Sequence, residues 1–141
     1  MKKVLLAAII MLCFLNMQCE EDIIINNCDY LTIVSESEYN NFETDHFGFI
    51  STDVEGDCLL VEIGASGCDG STWEFQLIDS GAIAESFPEQ RFLKLQLSNE
   101  ELCDAYFERT LSFDLTPLRI EGSSRVLLNI DGLNNAIEYV Y

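Results

Sequence analysis

The sequence predicts an all-β domain: an antiparallel β-sandwich of immunoglobulin-like type, with about seven to eight strands and a disulfide staple. Three observations carry that expectation. Apolar and polar residues alternate with period two over long stretches. Turn-forming Gly, Asp and Pro residues interrupt these stretches at short intervals. Four cysteines, Cys28, Cys58, Cys68 and Cys103, fall within the alternating region, behind a start that reads as an export signal.

The strands are expected at residues 29–35, 46–54, 57–64, 72–79, 91–98, 105–115 and 124–130, with 136–141 as an eighth. In the fourth, Trp73, Phe75 and Leu77 share one face, and in the fifth Leu93, Leu95 and Leu97 do the same. The sixth is the longest. Ala105, Phe107, Leu111, Phe113 and Leu115 face one way, and Tyr106, Glu108, Thr110, Ser112 and Asp114 the other. Arg109 falls on the apolar side, which a bulge, a strand end or an ion pair would explain. Glu55-Gly56-Asp57 separates the second strand from the third, Ser66-Gly67 and Asp69-Gly70 flank Cys68, and Pro88 and Pro117 close other connections. Asp131-Gly132 marks a terminal hairpin with a longer loop. Ser98-Asn99-Glu100-Glu101 has the pattern of a capping box and predicts one helical turn before the sixth strand. No internal repeat and no linker divides the domain.

The start of the chain describes a route. Met1-Lys2-Lys3 is a positive n-region, and Val4 to Leu15 is an apolar h-region too short to cross a bilayer, which takes about 20 apolar residues. Leu15-Asn16-Met17-Gln18-Cys19 is a loose lipobox, with Asn16 and Gln18 where an apolar and a small residue are usual. Three acids follow at once. Cys19-Glu20-Glu21-Asp22 resembles the start of many lipoproteins of the Bacteroidota, in which a cysteine followed by a short acidic run is associated with export to the cell surface. The resemblance implies a diacylglyceryl anchor on Cys19; with the leader and the alternation, the expected division is a signal peptide over residues 1–18, a lipid-anchored acidic tether over 19–27 and a β-sandwich over 28–141. Two acyl chains on one cysteine give stable anchoring where one is marginal. The competing reading is a general signal peptide, with Cys19 a spare thiol or removed. Ile23-Ile24-Ile25 is apolar for a tether and reads equally as an edge strand.

Removal of the leader leaves 123 of the 141 residues, enough for one core, and takes Lys2 and Lys3 with it, moving the net charge from −18 to −20. That excludes the usual nucleic-acid reader, which needs a basic face, and argues against docking on anionic headgroups. A solvated, self-repelling surface accounts for the charge; attraction to cations or to a basic partner is the sharper alternative.

Cys13 lies in the leader. The remaining four cysteines allow three connectivities, of which Cys28–Cys58 with Cys68–Cys103 is preferred; each bridge would stabilise by about 2–4 kcal/mol. No CxxC pair supports zinc, and no metal ligand is assigned. A second resemblance rests on Gly67-Cys68, the strand Trp73 to Leu77, Cys103 and Phe113-Asp114-Leu115-Thr116-Pro117-Leu118. These segments resemble small lipoproteins of uncharacterised role from flavobacteria and their relatives. The resemblance supports joining Cys68 to Cys103 and implies no activity.

Tests for chemistry give little. His46 is the single histidine, and no nucleophile is evident for it to serve. Asp53-Val54-Glu55-Gly56-Asp57 and Asn129-Ile130-Asp131-Gly132 do not fit an EF-hand, because the glycine is misplaced and no bidentate Glu follows in register; both read as turns, with a calcium loop as the minor alternative. Ser66-Gly67-Cys68 is not a nucleophile elbow, and no phosphate-binding loop or dinucleotide fingerprint occurs. Tyr39, Tyr106, Tyr139 and Tyr141 either pack between strands or present a face to a sugar or peptide. The expectation is therefore a lipid-anchored outer-membrane protein, with outward exposure an open alternative. Its role is expected to be non-catalytic binding or support, without cofactor or catalytic residues, and its partner a protein or glycan, not a nucleic acid. An accessory protein or inhibitor of a secreted enzyme is the alternative, and a small hydrolase using paired acids the rival from another class.

Overall fold

Period-two alternation becomes eight strands in the computed structural model, which describes residues 28–141. The expected signal peptide at 1–18, lipidation at Cys19 and tether at 19–27 lie outside the described residues. The strands are β1 (Tyr30–Val34), β2 (Gly48–Glu55), β3 (Cys58–Gly67), β4 (Glu74–Ala84), β5 (Gln90–Ser98), β6 (Ala105–Asp114), β7 (Arg125–Ile130) and β8 (Ile137–Val140). A short helix, α1 (Glu36–Asn40), follows β1, and a 3-10 turn (Thr116–Leu118) follows β6.

The order across the sheet is β2-β3-β6-β1-β4-β5-β7-β8. Strand β1 forms the corner. Its Tyr30 and Leu31 pair with Phe113 and Asp114 of β6, while Thr32, Ile33 and Val34 pair with Leu77, Ile78 and Asp79 of β4. One half-sheet, β2-β3-β6, therefore folds against the other, β4-β5-β7-β8, in a mixed, nearly closed barrel-like sheet. The all-β, disulfide-stapled class read from the sequence holds, but the sheet is not purely antiparallel. β1 runs parallel to both neighbours and β5 parallel to β7. Alternation is the same in either direction, so it fixes which residues face inward and leaves strand polarity open.

The inward faces make one core. Leu59, Val61 and Ile63 of β3, Leu77 of β4, Leu93, Leu95 and Leu97 of β5, Phe113 of β6 and Val126 and Leu128 of β7 are all buried. Full burial of each such side chain contributes about 1.5–3 kcal/mol. Tyr30 joins the two halves through ring contacts with Phe113 at 5.3 Å and Phe75 at 6.2 Å.

The outer face of β4, in the second half-sheet, is covered. Ser35 caps α1, its Oγ accepting the Glu38 amide at 3.3 Å, and Glu36 and Glu38 in the first turn suit the positive end of the helix. The helix lies over β4. The chain after it runs beside β5, where β7 has stopped pairing. The Asp45 amide donates to the Leu97 carbonyl at 2.9 Å, and the Leu97 amide donates to Thr44 Oγ1 at 2.9 Å.

Two polar links tie the ends. At the β2–β3 turn, Tyr139 donates its hydroxyl to Asp57 at 2.6 Å, and Arg119 donates Nη2 to the same oxygen at 2.6 Å and Nε to the phenol at 3.0 Å. Beneath the 3-10 turn, Arg91 Nη1 meets Asp79 Oδ1 at 2.8 Å in a buried ion pair, with Arg91 Nε donating to the Leu118 carbonyl at 2.9 Å. The disulfides join Cys28 to Cys58 and Cys68 to Cys103.

Candidate functional site

The Cys68–Cys103 bridge ties the loop leaving β3 to the segment entering β6, at the end of the barrel opposite the Cys28–Cys58 bridge. Around it the loop curls so that successive backbone amides point at one carboxylate. Glu101 Oε2 accepts the amides of Cys68 at 2.5 Å, Asp69 at 3.1 Å and Gly70 at 3.0 Å. Its Oε1 accepts the Thr72 hydroxyl at 2.9 Å and the Thr72 amide at 3.4 Å. Gly70 has φ +69°, a conformation that lets the chain form this concave nest of donors. Partial desolvation opposes ionisation of Glu101, but the Gly70 amide, the Thr72 hydroxyl and the Cys68 and Asp69 amides outweigh it and lower the carboxyl to about 2.

The loop sits on Trp73, whose indole is buried with no partner for Nε1 among the described residues. A side-chain carbon at Gly67 would press on both Glu101 and that indole, which explains glycine there. Arg109, on the apolar side of β6, reaches across and donates Nη2 to the Asp69 carbonyl at 2.8 Å. No bulge is needed: the guanidinium leaves the core at the mouth of the barrel.

The helical turn expected at 98–101 does not form. The Asn99 side chain accepts the Glu101 amide at 2.9 Å and donates to the Ser66 carbonyl at 2.8 Å. The Glu101 carboxylate goes to the neighbouring loop, so the reciprocal bond of a capping box has no acceptor. Leu102, between Glu101 and Cys103, stands 96% exposed. Beside it is an open depression of about 710 Å³, lined by Thr72, Glu74, Ser98, Glu100 and Glu101.

A carboxylate whose oxygens are both taken by fixed donors and whose proton leaves at about 2 is a structural anion. It is unsuited to general acid or base work near neutral pH. His46 is exposed in the segment before β2, beside Asp45, which accepts the Asn99 amide at 2.7 Å. The two candidate calcium loops are occupied as turns. Gly56 takes φ +60° between β2 and β3, Asp57 is held by Tyr139 and Arg119, and Asn129 donates to Gln90 and to the Arg91 carbonyl. Among the described residues no group of three or more His, Cys, Asp and Glu is arranged to hold a metal ion, and no helix is long and apolar enough to cross a membrane.

The four tyrosines divide. Tyr139 is in the core, Tyr141 packs on it at 4.9 Å with Arg119 above its ring, and Tyr39 lies under Lys94 Nζ at 4.3 Å. Tyr106 is 61% exposed.

No protein-family model matches the chain, and no curated protein matches it. Solved structures do. A NigD-like immunity protein from Bacteroides caccae ATCC 43185 is similar with a TM-score of 0.55 and 13% identity, over 78% of this chain and 59% of that one. A protein of unknown function, DUF1344, from Bacteroides vulgatus ATCC 8482 is similar with a TM-score of 0.51 and 12% identity, over 79% of this chain and 54% of that one. The chain thus spans somewhat more than half of each of these structures. At such identities the likeness is one of fold.

Proposed function

We propose that this chain is a lipid-anchored envelope protein that binds a partner without catalysis, and that the stapled end of its barrel is the recognition surface. The observation that carries the reading is the locking of Glu101. Four backbone amides, one hydroxyl and a disulfide fix a loop that displays Leu102 to solvent, while the carboxylate at its centre is withdrawn from proton transfer. Rigid loops of this kind favour binding, because little conformational freedom is left to lose. The fold shared with an immunity protein favours, as a second reading, an accessory or protective role toward a secreted protein.

The anchor at Cys19 rests on the leader and on the resemblance of Cys19-Glu20-Glu21-Asp22 to Bacteroidota lipoproteins. Membrane-extracted protein should have the intact mass of residues 19–141 plus acyl chains, rising by about four protons on reduction of two bridges. Photo-crosslinkers placed at Leu102 should then capture one protein or glycan species on intact cells, and the same species should be lost with Glu101→Ala. An unlipidated mass in the soluble fraction would overturn the anchor. Turnover of a substrate that disappears with Glu74→Gln or Glu100→Gln would overturn the non-catalytic reading.

A further inference from the structure

The two half-sheets differ on their outer faces. That of β4 is covered by α1, whereas among the described residues no helix packs on that of β2, β3 and β6. On this bare face Gly64 of β3 lies opposite Glu108 of β6, Glu62 opposite Thr110, and Ser66 opposite Tyr106. The Tyr106 side chain lies across Gly64: a side-chain carbon at Gly64 would overlap its hydroxyl and ring. Glycine thus makes a bed for an aromatic ring whose other face remains in water. By ladder position the ring is flanked by Glu108, opposite the glycine, and by Glu62, two residues along β3 on the same face. Glu62 Oε2 accepts the Ser51 hydroxyl at 2.8 Å, which orients the carboxylate.

The charge on this face has one sign. Residues 48–67, covering β2 and β3, contain Asp53, Glu55, Asp57 and Glu62 and no Lys or Arg; Asp57 is already paired with Arg119, which leaves Asp53, Glu55 and Glu62 without a cation among the described residues. The single cation of β6, Arg109, is turned away to the Asp69 carbonyl. Tyr106 lies at the start of β6, just after the Cys68–Cys103 staple, and both it and Glu108 are exposed.

We propose that this face docks a basic protein segment, with an arginine guanidinium stacked on Tyr106 between Glu62 and Glu108. A planar cation over an aromatic ring is held by the ring quadrupole, and flanking carboxylates can take its N–H groups. Arginine suits both demands better than lysine, whose compact ammonium keeps its water. Uncompensated acids select a cationic partner and speed its approach. The inference rests on the non-catalytic binding reading above and names the chemistry of the partner.

The test is an NMR titration of the ¹⁵N-labelled, detergent-solubilised mature chain with three probes: a short extended arginine-containing peptide, the same peptide with lysine, and a neutral glucose hexasaccharide. The arginine peptide should shift the amides of Ser51, Glu62, Gly64, Tyr106 and Glu108, bind more tightly than the lysine peptide, and weaken as salt rises. Tyr106→Ala should lower its affinity by about fivefold. The double variant E62Q/E108Q, which leaves the core untouched, should lower it further and remove most of the salt dependence. Shifts spread over all acidic surfaces and unaltered by either variant would overturn the proposal, as would binding of the hexasaccharide in place of the peptide. An unlipidated protein that still binds the arginine peptide here would remove the anchor and leave this face standing. A lipidated protein whose crosslinks lie at Leu102 alone, without response to the peptide, would do the reverse.

Discussion

Glu101 Oε2 accepts the Gly70 amide at 3.0 Å across 31 residues of chain, and the loop from Cys68 to Thr72 is organised around that oxygen. The carboxyl is lowered to about 2. A depressed acid stabilises fully above its ordinary value near 4.5, and this contribution disappears as pH falls through about 2. Amides 68–72 should therefore stay protected from hydrogen exchange well below pH 4 and lose protection towards pH 2. Glu101→Gln places an NH₂ group against converging amides, so these amides should exchange faster even at pH 7, with no further acid step. Unchanged exchange in the variant would mean that the disulfide alone holds the loop.

The hydroxyl of Tyr139 sits between Asp57 and Arg119. Desolvation and its bond to Asp57 push the phenol up to about 12, against the opposing effect of Arg119. A raised group contributes stability that is complete below its unfolded value near 10 and is lost as pH rises through about 12. In an ultraviolet titration Tyr139 should be the last of the five tyrosines to ionise, at or beyond the alkaline unfolding step. Tyr139→Phe should remove that late step and lower stability by about 1–3 kcal/mol in urea unfolding, because bonds to two charged partners are lost.

Much of this fold is legible in the sequence because one physical signal dominates it. Leu93, Leu95 and Leu97 alternate with polar residues, and β5 forms where they do. Strand direction was not legible: Thr32 and Leu77 carry the same alternation in a parallel pair as in an antiparallel one. The helix α1 had a signal that goes unread without the surrounding turn, since Ser35-Glu36-Ser37-Glu38 is itself a capping pattern. The similar pattern at Ser98–Glu101 misleads, because Glu101 finds better donors in a loop some 30 residues away, and no local rule ranks such a partner. Tyr106 on Gly64 is of the same kind. Each residue is ordinary alone, and only the β3–β6 register superposes them.

The two disulfides close loops of similar length, with sequence separations of 30 and 35. In the chain-entropy model each restricts the unfolded chain by about 3–4 kcal/mol. Paired substitutions to alanine at Cys28 and Cys58, or at Cys68 and Cys103, should thus cost comparable stability. Local exchange should tell them apart. Loss of Cys68–Cys103 should raise exchange at residues 68–72 and around Leu102. Loss of Cys28–Cys58 should leave those amides protected and loosen the start of β1. If either pair alone accounts for the whole loss, the other bridge closes a loop that other contacts already fix.

Asp79 and Arg91 are both buried, and only one Asp79 oxygen is used: Oδ1 accepts Arg91 Nη1 and the Gly81 amide at 2.8 Å each, while Oδ2 has no partner among the described residues. Desolvation raises the Asp79 carboxyl above its ordinary value, although the Gly81 amide and Arg91 pull the other way. The pair therefore holds a geometry at an electrostatic cost. Asp79→Ala should destabilise by about 3–5 kcal/mol, since it leaves Arg91 charged, buried and unpaired. Asp79→Leu with Arg91→Met removes both charges at similar volume and should recover most of that loss or exceed the wild type. Urea unfolding of the single and double variants decides the matter. A double variant as unstable as Asp79→Ala would show that the Arg91 bond to the Leu118 carbonyl, and not the ion pair, holds the 3-10 turn to the barrel.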